Sequence, residues 1–195
     1  ITKPTKTGYT FGGYYTATNG GGTQYYKADG TSAKAWTETS VTKLYAKWTA
    51  NKYTVKFNEN GGTGTMSEQS FTYDESKALT TNAFTRKGYD FAGWATSSNG
   101  TVQYTDGQSV SNLIATNNYT VNLYAVWNEQ EPITVYFRPK TAWKDNSPVI
   151  ICNDNPTTVT PYDCSGDYYT TQVPATTEDL KFGGDGEQTL SLTVP

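Results

Sequence analysis

An internal repeat with a period of 79 to 80 residues constrains this chain more than any other feature. Residues 8–14 (GYTFGGY) return as residues 88–94 (GYDFAGW), shifted by 80. Residues 44–48 (LYAKW) return as residues 123–127 (LYAVW), shifted by 79. Because a repeated sequence encodes a structural unit that is built more than once, the repeat has to be placed before any single strand or helix.

The repeat divides the chain into three parts. We predict a complete copy at residues 50–130, preceded at 1–49 by the C-terminal part of another copy. Residues 131–195 show no trace of the repeat and form a third module after a short polar connector. Because the chain opens inside a repeat and carries no leader or anchor, we interpret it as a piece of a longer protein.

Composition excludes several classes of function. The net charge of −3 gives no basic surface for nucleic acid, and no apolar run approaches the roughly 20 residues of a membrane-spanning helix. The chain has no histidine, which removes His-containing triads and His-rich metal sites. Its carboxylates are scattered and do not form the clusters that calcium needs. We therefore predict a non-enzymatic chain with no catalytic residues, no metal and no cofactor, which neither binds nucleic acid nor inserts into a membrane.

The residue pattern predicts a mainly β protein. Thr, Tyr and Val are abundant, and residues 53–57 (YTVKF) alternate between apolar and polar, as in a half-buried strand. We predict that residues 69–73 complete a hairpin with this strand, that 89–94 form a third strand, and that 123–127 form the closing strand. A short helix is expected at residues 74–83.

Three segments of the complete copy resemble the Listeria–Bacteroides repeat, known from internalin B-type repeat regions of bacterial surface proteins. They are YTVKFNENGGTG at 53–64, GYDFAGW at 88–94 and LYAVW at 123–127. The resemblance implies small β-grasp-like units that occur in tandem on secreted or wall-attached proteins. The first copy lacks the opening strand and hairpin, so we expect residues 1–49 to be under-packed or to borrow a strand.

The tryptophans of the repeats are interpreted as core residues rather than sugar-stacking platforms. Trp48, Trp94 and Trp127 stand at motif positions beside Tyr and Leu, as expected for side chains that fill a small core. Trp36 has no counterpart in the second copy, and we assign it to the core as well.

The third module is predicted to be a β-sandwich. It contains both cysteines and most of the prolines. Five short strands separated by turns are expected, at residues 133–137, 148–152, 167–173, 178–182 and 188–194. The second of these is apolar enough to be a central strand.

This module resembles the starch-binding type of small carbohydrate-binding module, the family-25/26 kind. The opening strand followed by Trp143, the segment 166–175 and the segment 180–190 carry the resemblance. It implies that exposed aromatic side chains stack on α-glucan rings. Where the family has an aromatic or His strand, this chain has VIIC at 149–152, which counts against starch as the ligand.

The candidate carbohydrate-binding residues are Trp143, Tyr162 and Tyr168. Trp143 lies in a polar loop after a strand, where a tryptophan is either a ligand platform or a plug between loop and core. Cys152 and Cys164 form either a disulfide, which suits an oxidising exterior, or a pair of buried thiols. A disulfide would close a loop worth roughly 3 kcal/mol of stability.

Two functions from different classes follow. In the first, the chain belongs to an exported bacterial surface protein, with the repeats as spacer or adhesive stalk and the last module binding a polysaccharide such as an α-glucan. In the second, it is a structural or protein-binding adhesin region that contacts a host or cell-surface protein and no sugar. A third reading makes it the accessory region of a larger secreted glycoside hydrolase.

Overall fold

The fold is mainly β in a computed structural model that describes residues 1–40, 43–137, 149–152, 155–158, 160–161, 169–177, 179–184 and 187–193. Side-chain surroundings are described for residues 1–40, 43–135 and 172–177. The only helical segment in these ranges is one turn of 3₁₀ helix at Thr18–Gly20. The predicted mainly β class is confirmed.

The first copy forms a three-stranded antiparallel sheet. Its strands are β1 (Tyr9–Tyr15), β2 (Gln24–Tyr26) and β3 (Tyr45–Ala50), in the order β2-β1-β3. The register shifts between Phe11 and Tyr14 on β1, where Gly13 has a φ of +110°. This irregularity lets three aromatic residues of β1 pack on neighbouring strands despite the period-two alternation of a strand.

The second copy forms a four-stranded mixed sheet. Its strands are β4 (Lys52–Asn58), β5 (Gln69–Thr72), β7 (Tyr89–Ala95) and β9 (Tyr119–Glu129), in the order β5-β4-β9-β7. Strands β4 and β5 form the predicted hairpin, and β4 pairs in parallel with β9, from Tyr53 opposite Tyr119 to Asn58 opposite Tyr124. The four strands predicted for this copy are therefore present.

The helix predicted at residues 74–83 is wrong. Asp74 has a φ of +66°, which a helix cannot continue through, and residues 77–78 form the short strand β6 (Lys77–Ala78). Strand β6 pairs with β8 (Ser109–Val110), and the Leu79 amide donates to the Gln108 carbonyl oxygen. Long-range pairing with the segment before β9 thus overrides the local capping signal.

Aromatic side chains fill the core of the second copy. Trp94 is fully buried and contacts Phe57 and Phe84, at ring-centroid distances of 4.9 Å and 6.1 Å. Its assignment to the core is confirmed. Trp48 and Trp127 are only half-buried.

Trp36 does not belong to the core. Its side chain is 50% exposed, although its ring packs on the buried ring of Tyr25 at 4.6 Å. The segment around it, residues 33–40, contains no strand, so neighbouring strands do not cover the outer face of the indole.

The C-terminal part contains two sheets among its described residues. The strands are β10 (Ile133–Phe137), β11 (Val149–Cys152), β12 (Asn155–Thr158), β13 (Thr160–Pro161), β14 (Tyr169–Val173), β15 (Asp179–Gly184) and β16 (Glu187–Thr193). Their orders are β10-β14-β13 and β12-β11-β15-β16. The five predicted strands are present, and β11 is central as predicted. Strands β12 and β13 were not predicted, because the prolines at 156 and 161 argue against strands.

The described chain divides into two compact units. One comprises Ile1–Asn60, Gly64–Phe84 and Ala92–Val126, and the other Gly61–Thr63, Thr85–Phe91 and Trp127–Pro195. The first copy and most of the second therefore share one unit. Within the part of the chain that the structure describes, no helix is long and apolar enough to cross a membrane.

Candidate functional site

The carbohydrate-binding residues predicted from the sequence lie outside the described residues. This applies to Trp143, Tyr162 and Tyr168, and also to Cys164 of the predicted disulfide. The backbone of Cys152 ends strand β11 opposite Leu180, but its side chain is not among those described. Both the glycan site and the disulfide remain predictions.

The described ranges bring together no group of three or more His, Cys, Asp or Glu side chains that could hold a metal ion. The most elaborate polar arrangement in these ranges lies where one copy of the repeat passes into the next. It is the candidate functional site, and we call it the first junction: residues 6–10, 51, 73–74, 112 and 115.

Asn51 is the centre of the first junction, and it alone separates β3 from β4. Its amide donates to the Gly8 carbonyl oxygen at 2.9 Å, and its carbonyl oxygen accepts from the Tyr73 amide at 2.8 Å. Its side chain accepts from the Thr10 hydroxyl at 2.6 Å and donates to the Ala115 carbonyl oxygen at 2.7 Å. The residue is 8% exposed, so these bonds form largely away from water.

Gly8 allows two segments to approach closely at the first junction. It has a φ of +75°, and a Cβ at this position would overlap the ring of Tyr73. The Tyr9 ring meets the Tyr73 ring edge-on, with 5.9 Å between centroids. The Tyr9 hydroxyl donates to Asp74 Oδ2 at 2.7 Å, and Asn112 Nδ2 donates to Asp74 Oδ1 at 2.9 Å.

These hydrogen bonds shift two ionisation equilibria. The pKa of Asp74 is lowered, chiefly by the bond from the Tyr9 hydroxyl and next by the bond from Asn112. The pKa of Tyr9 is raised, chiefly because its hydroxyl donates to Asp74 and secondly by desolvation. The pair is exposed to solvent, so we treat it as an orienting contact and not as a major source of stability.

A groove of about 560 Å³ runs beside the first junction. Trp48 and Phe11, whose ring centroids are 5.5 Å apart, contribute aromatic lining, and Lys3, Lys6 and Asp29 also line the groove. Lys6 Nζ lies 3.5 Å from the centre of the Tyr9 ring, and Asp29 accepts two bonds from Thr31 within its own turn. These charged groups already have partners inside the chain.

The same construction occurs a second time, 79 to 80 residues later. The Gln130 amide donates to the Gly88 carbonyl oxygen at 2.9 Å, as the Asn51 amide does to Gly8. Gly88 has a φ of +73°, and a Cβ there would lie 2.6 Å from Thr176 Cγ2. Gln130 Nε2 donates to Asp90 Oδ1 at 2.7 Å. We call residues 86–90, 130 and 176 the second junction.

The turn that leads into each junction is also the same. The Tyr9 amide donates to the Lys6 carbonyl oxygen at 3.0 Å, and the Tyr89 amide donates to that of Arg86 at 3.1 Å. In each turn the cation lies over the tyrosine ring, with Arg86 Cζ 3.8 Å from the ring centre of Tyr89. An Arg therefore replaces a Lys without loss of the contact.

An aromatic pair flanks each junction. Phe91 meets Trp127 at 5.6 Å between ring centroids, which reproduces the 5.5 Å between Phe11 and Trp48. Each tryptophan was predicted to be a core residue, and each packs on a phenylalanine although it is only half-buried. The tryptophan of the LYAxW motif thus packs near the junction as well as against its own sheet.

The family model for the Listeria-Bacteroides repeat domain matches residues 1–47 and 53–126, which is more than half of the chain. The chain belongs to the Listeria-Bacteroides repeat family. The two matched stretches are separated by residues 48–52, which include Asn51 of the first junction. No match supports the predicted resemblance of residues 131–195 to a starch-binding module.

Two relatives are similar to parts of this repeat protein. Internalin H of Listeria monocytogenes is 39% identical over 93 residues, which cover 48% of this chain and 15% of the relative. A protein of Evansella cellulosilytica named as a Gly-rich membrane protein is 28% identical over 125 residues, which cover 63% of this chain and 14% of the relative. The matches thus span only about a seventh of each relative's length. No solved structure gives a significant match.

The sequence signal for the junctions was incomplete. The repeat revealed Gly8 and Gly88 as equivalent positions, but Asn51 and Gln130 differ in residue type. Their equivalence rests on main-chain hydrogen bonds, which any residue other than proline can make. The count of 79 residues between them is the signal that could have identified the pair.

Proposed function

We propose that the chain is a non-catalytic spacer region of an exported bacterial surface protein, in which a recurring junction sets the orientation of each module on the next. The observation that carries the proposal is the double occurrence of that junction, with the same main-chain bond of 2.9 Å from Asn51 and from Gln130. A freely jointed chain of modules would need neither bond.

The short connections support this function. A single residue, Asn51, lies between β3 and β4, and residues 130–132 lie between β9 and β10. Such connections are too short to act as flexible tethers, so orientation depends on the contacts around them. The cell-surface location rests on family membership and on the names of the two relatives, one an internalin and the other a membrane protein.

We also propose a β-grasp-like unit for residues 50–130 and a β-sandwich for residues 131–195, with 1–49 as a partial copy of the former. Numbered within the second copy, the sheet order β5-β4-β9-β7 places the second, first, last and third strands side by side. The parallel pairing of the two central strands supports a β-grasp arrangement. Two separate sheets in the C-terminal part support a sandwich.

The spacer function is tested by the distribution of distances between the two copies. Nitroxide labels are placed on non-natural amino acids at Thr18 and Ser67, which are exposed in the first and second copy. This labelling leaves both cysteines in place. Pulsed electron resonance on the full chain is expected to give one narrow distance distribution, and Asn51→Ala is expected to broaden it.

A control variant separates loss of the junction from general destabilisation. Gly107→Ala introduces strain at a φ of +64°, in the same compact unit as the labels but outside the junction. It should leave the distance distribution narrow. A broad distribution in the unmodified chain would overturn the spacer proposal, because the copies would then move freely on each other.

Glycan binding by the third module is a separate proposal that rests on the sequence resemblance. The full chain should be retarded in affinity electrophoresis through an α-glucan gel, and Trp143→Ala should restore its mobility. Tyr162→Ala and Tyr168→Ala should give smaller effects. Unchanged mobility of the full chain in every glucan would leave a structural or protein-binding adhesin region as the function.

A further inference from the structure

The closing strands of the two copies end at equivalent residues but begin at different ones. Strand β9 spans Tyr119–Glu129, whereas β3 spans only Tyr45–Ala50. With the shift of 79, Ala50 corresponds to Glu129 and Tyr45 to Tyr124. The first five residues of β9 therefore correspond to residues 40–44, and the described ones among these, 40, 43 and 44, lie in no strand.

The additional part of β9 is the part that pairs with β4. The parallel ladder runs from Tyr53 opposite Tyr119 to Asn58 opposite Tyr124 and does not extend beyond Tyr124. In the first copy, β3 pairs only with β1 and forms the edge of its sheet. The closing strand is thus shorter in the copy that lacks the parallel partner.

Apolar surface is left open at the same place. Leu123 is fully buried beside β4, but its counterpart Leu44 is only half-buried. Ala125 is buried and Ala46 is half-buried. The ring of Tyr45 is 41% exposed.

The second copy shows what covers such an edge. Its hairpin contributes Tyr53, Val55, Phe57 and Phe71 to the core, and each of these side chains is at most 5% exposed. The first copy has no strand before β1 among the described residues. An edge with unpaired main-chain groups and adjacent apolar side chains is suited to accepting a strand from elsewhere.

We propose that residues 40–45 are a strand-acceptor site, and that its occupant is a β-hairpin with the residue pattern of β4 and β5. The incoming strand runs parallel to the site. A residue equivalent to Phe57 lies opposite Leu44, and one equivalent to Asn58 lies opposite Tyr45. Its apolar residues at alternate positions cover Leu44 and Ala46.

The test adds this hairpin to the full chain. With the shift of 80, Ile1 corresponds to Thr81, so a second copy of residues 51–80 is fused directly before Ile1. Hydrogen exchange at the amides of Leu44 and Tyr45 is expected to slow by about tenfold or more, since these amides join a ladder only when the strand is present. Thermal denaturation should also occur at a higher temperature.

A matched control uses the same extension with Val55→Asp in the added hairpin only, and this should leave exchange at Leu44 unchanged. Equal protection with both extensions, or protection with neither, would overturn the proposal. Protection in the unextended chain that grows with protein concentration would also overturn it, because a second molecule would then be the occupant. These measurements concern the first copy alone, so their failure leaves the spacer proposal intact.

Discussion

Asn51 is the residue on which the first junction depends, because its backbone and side chain together make four hydrogen bonds. We expect Asn51→Ala to destabilise the chain by about 1–3 kcal/mol, since the Ala115 carbonyl oxygen loses its donor in a buried place. The control is Gln130→Ala, which removes an exposed bond to Asp90 and should cost below about 0.5 kcal/mol. Urea denaturation followed by tryptophan fluorescence measures both, and equal costs would contradict the role given to burial.

Gly8 and Gly88 are predicted to tolerate no side chain. Alanine at a left-handed φ costs about 1–2 kcal/mol by itself, and at these positions its Cβ would also meet Tyr73 or Thr176. Gly107→Ala separates the two effects, because it has a φ of +64° and its nearest neighbour, Thr81 Cγ2, would be 3.5 Å away. Thermal denaturation should rank Gly8→Ala and Gly88→Ala as more destabilising than Gly107→Ala. Equal losses would show that close approach plays no part.

The pair of Tyr9 and Asp74 gives the first junction a dependence on pH. The pKa of Asp74 is lowered in the folded chain, so its contribution is present above the usual range of a carboxyl and is lost as the pH falls through the folded value. The pKa of Tyr9 is raised, so its contribution is lost as the pH rises through its folded value. Asp74→Asn should flatten the acid side of a stability–pH profile relative to the unmodified chain. An unchanged acid limb would contradict the assignment.

At the residue scale, the sequence predicted those positions where the residue type itself is repeated. Gly8 with Gly88 and Tyr9 with Tyr89 are such pairs. Trp36 was assigned to the core because of its size, and this was wrong. It packs one face on Tyr25 and leaves the other in solvent, which size and hydropathy do not reveal.

The hairpin of β4 and β5 is the element on which the second copy depends. Its Phe57 is 5% exposed and packs on Trp94. We expect Phe57→Ala to cost about 3–5 kcal/mol, as is usual for a truncated core aromatic. Lys56→Ala, on the exposed face of the same strand, should change stability by no more than about 0.5 kcal/mol. Chemical denaturation that gave similar midpoints for both variants would contradict this account of the core.

Strands were easier to predict than their pairing. Alternation at residues 53–57 identified β4, and the motif endings identified β7 and β9. The parallel pairing of β4 with β9 joins residues 66 positions apart, and no local pattern encodes it. The helix expected at 74–83 failed for the same reason, since β6 is held by β8 and not by its own sequence. The candidate glycan residues lie outside the described part of the chain, so that prediction stands untested.

At the scale of the whole molecule, the account rests on repetition. The repeat sequence is present in two copies, and the junction that follows each copy is built from the same turn, the same cation over a tyrosine and the same main-chain bond. Repeat proteins of this kind gain stability from contacts between neighbours as well as within each unit. The function of the chain as a spacer would follow from those contacts.

Amide hydrogen exchange at Asn51 and Gln130, followed by NMR on the full chain, tests the recurring junction most directly. Both amides donate to a glycine carbonyl oxygen at 2.9 Å, so both should exchange at least about tenfold more slowly than an unstructured peptide. Gly8→Ala should accelerate exchange at Asn51 alone, and Gly88→Ala at Gln130 alone. Fast exchange of both amides in the unmodified chain would contradict the account, because neither junction would then be closed in solution.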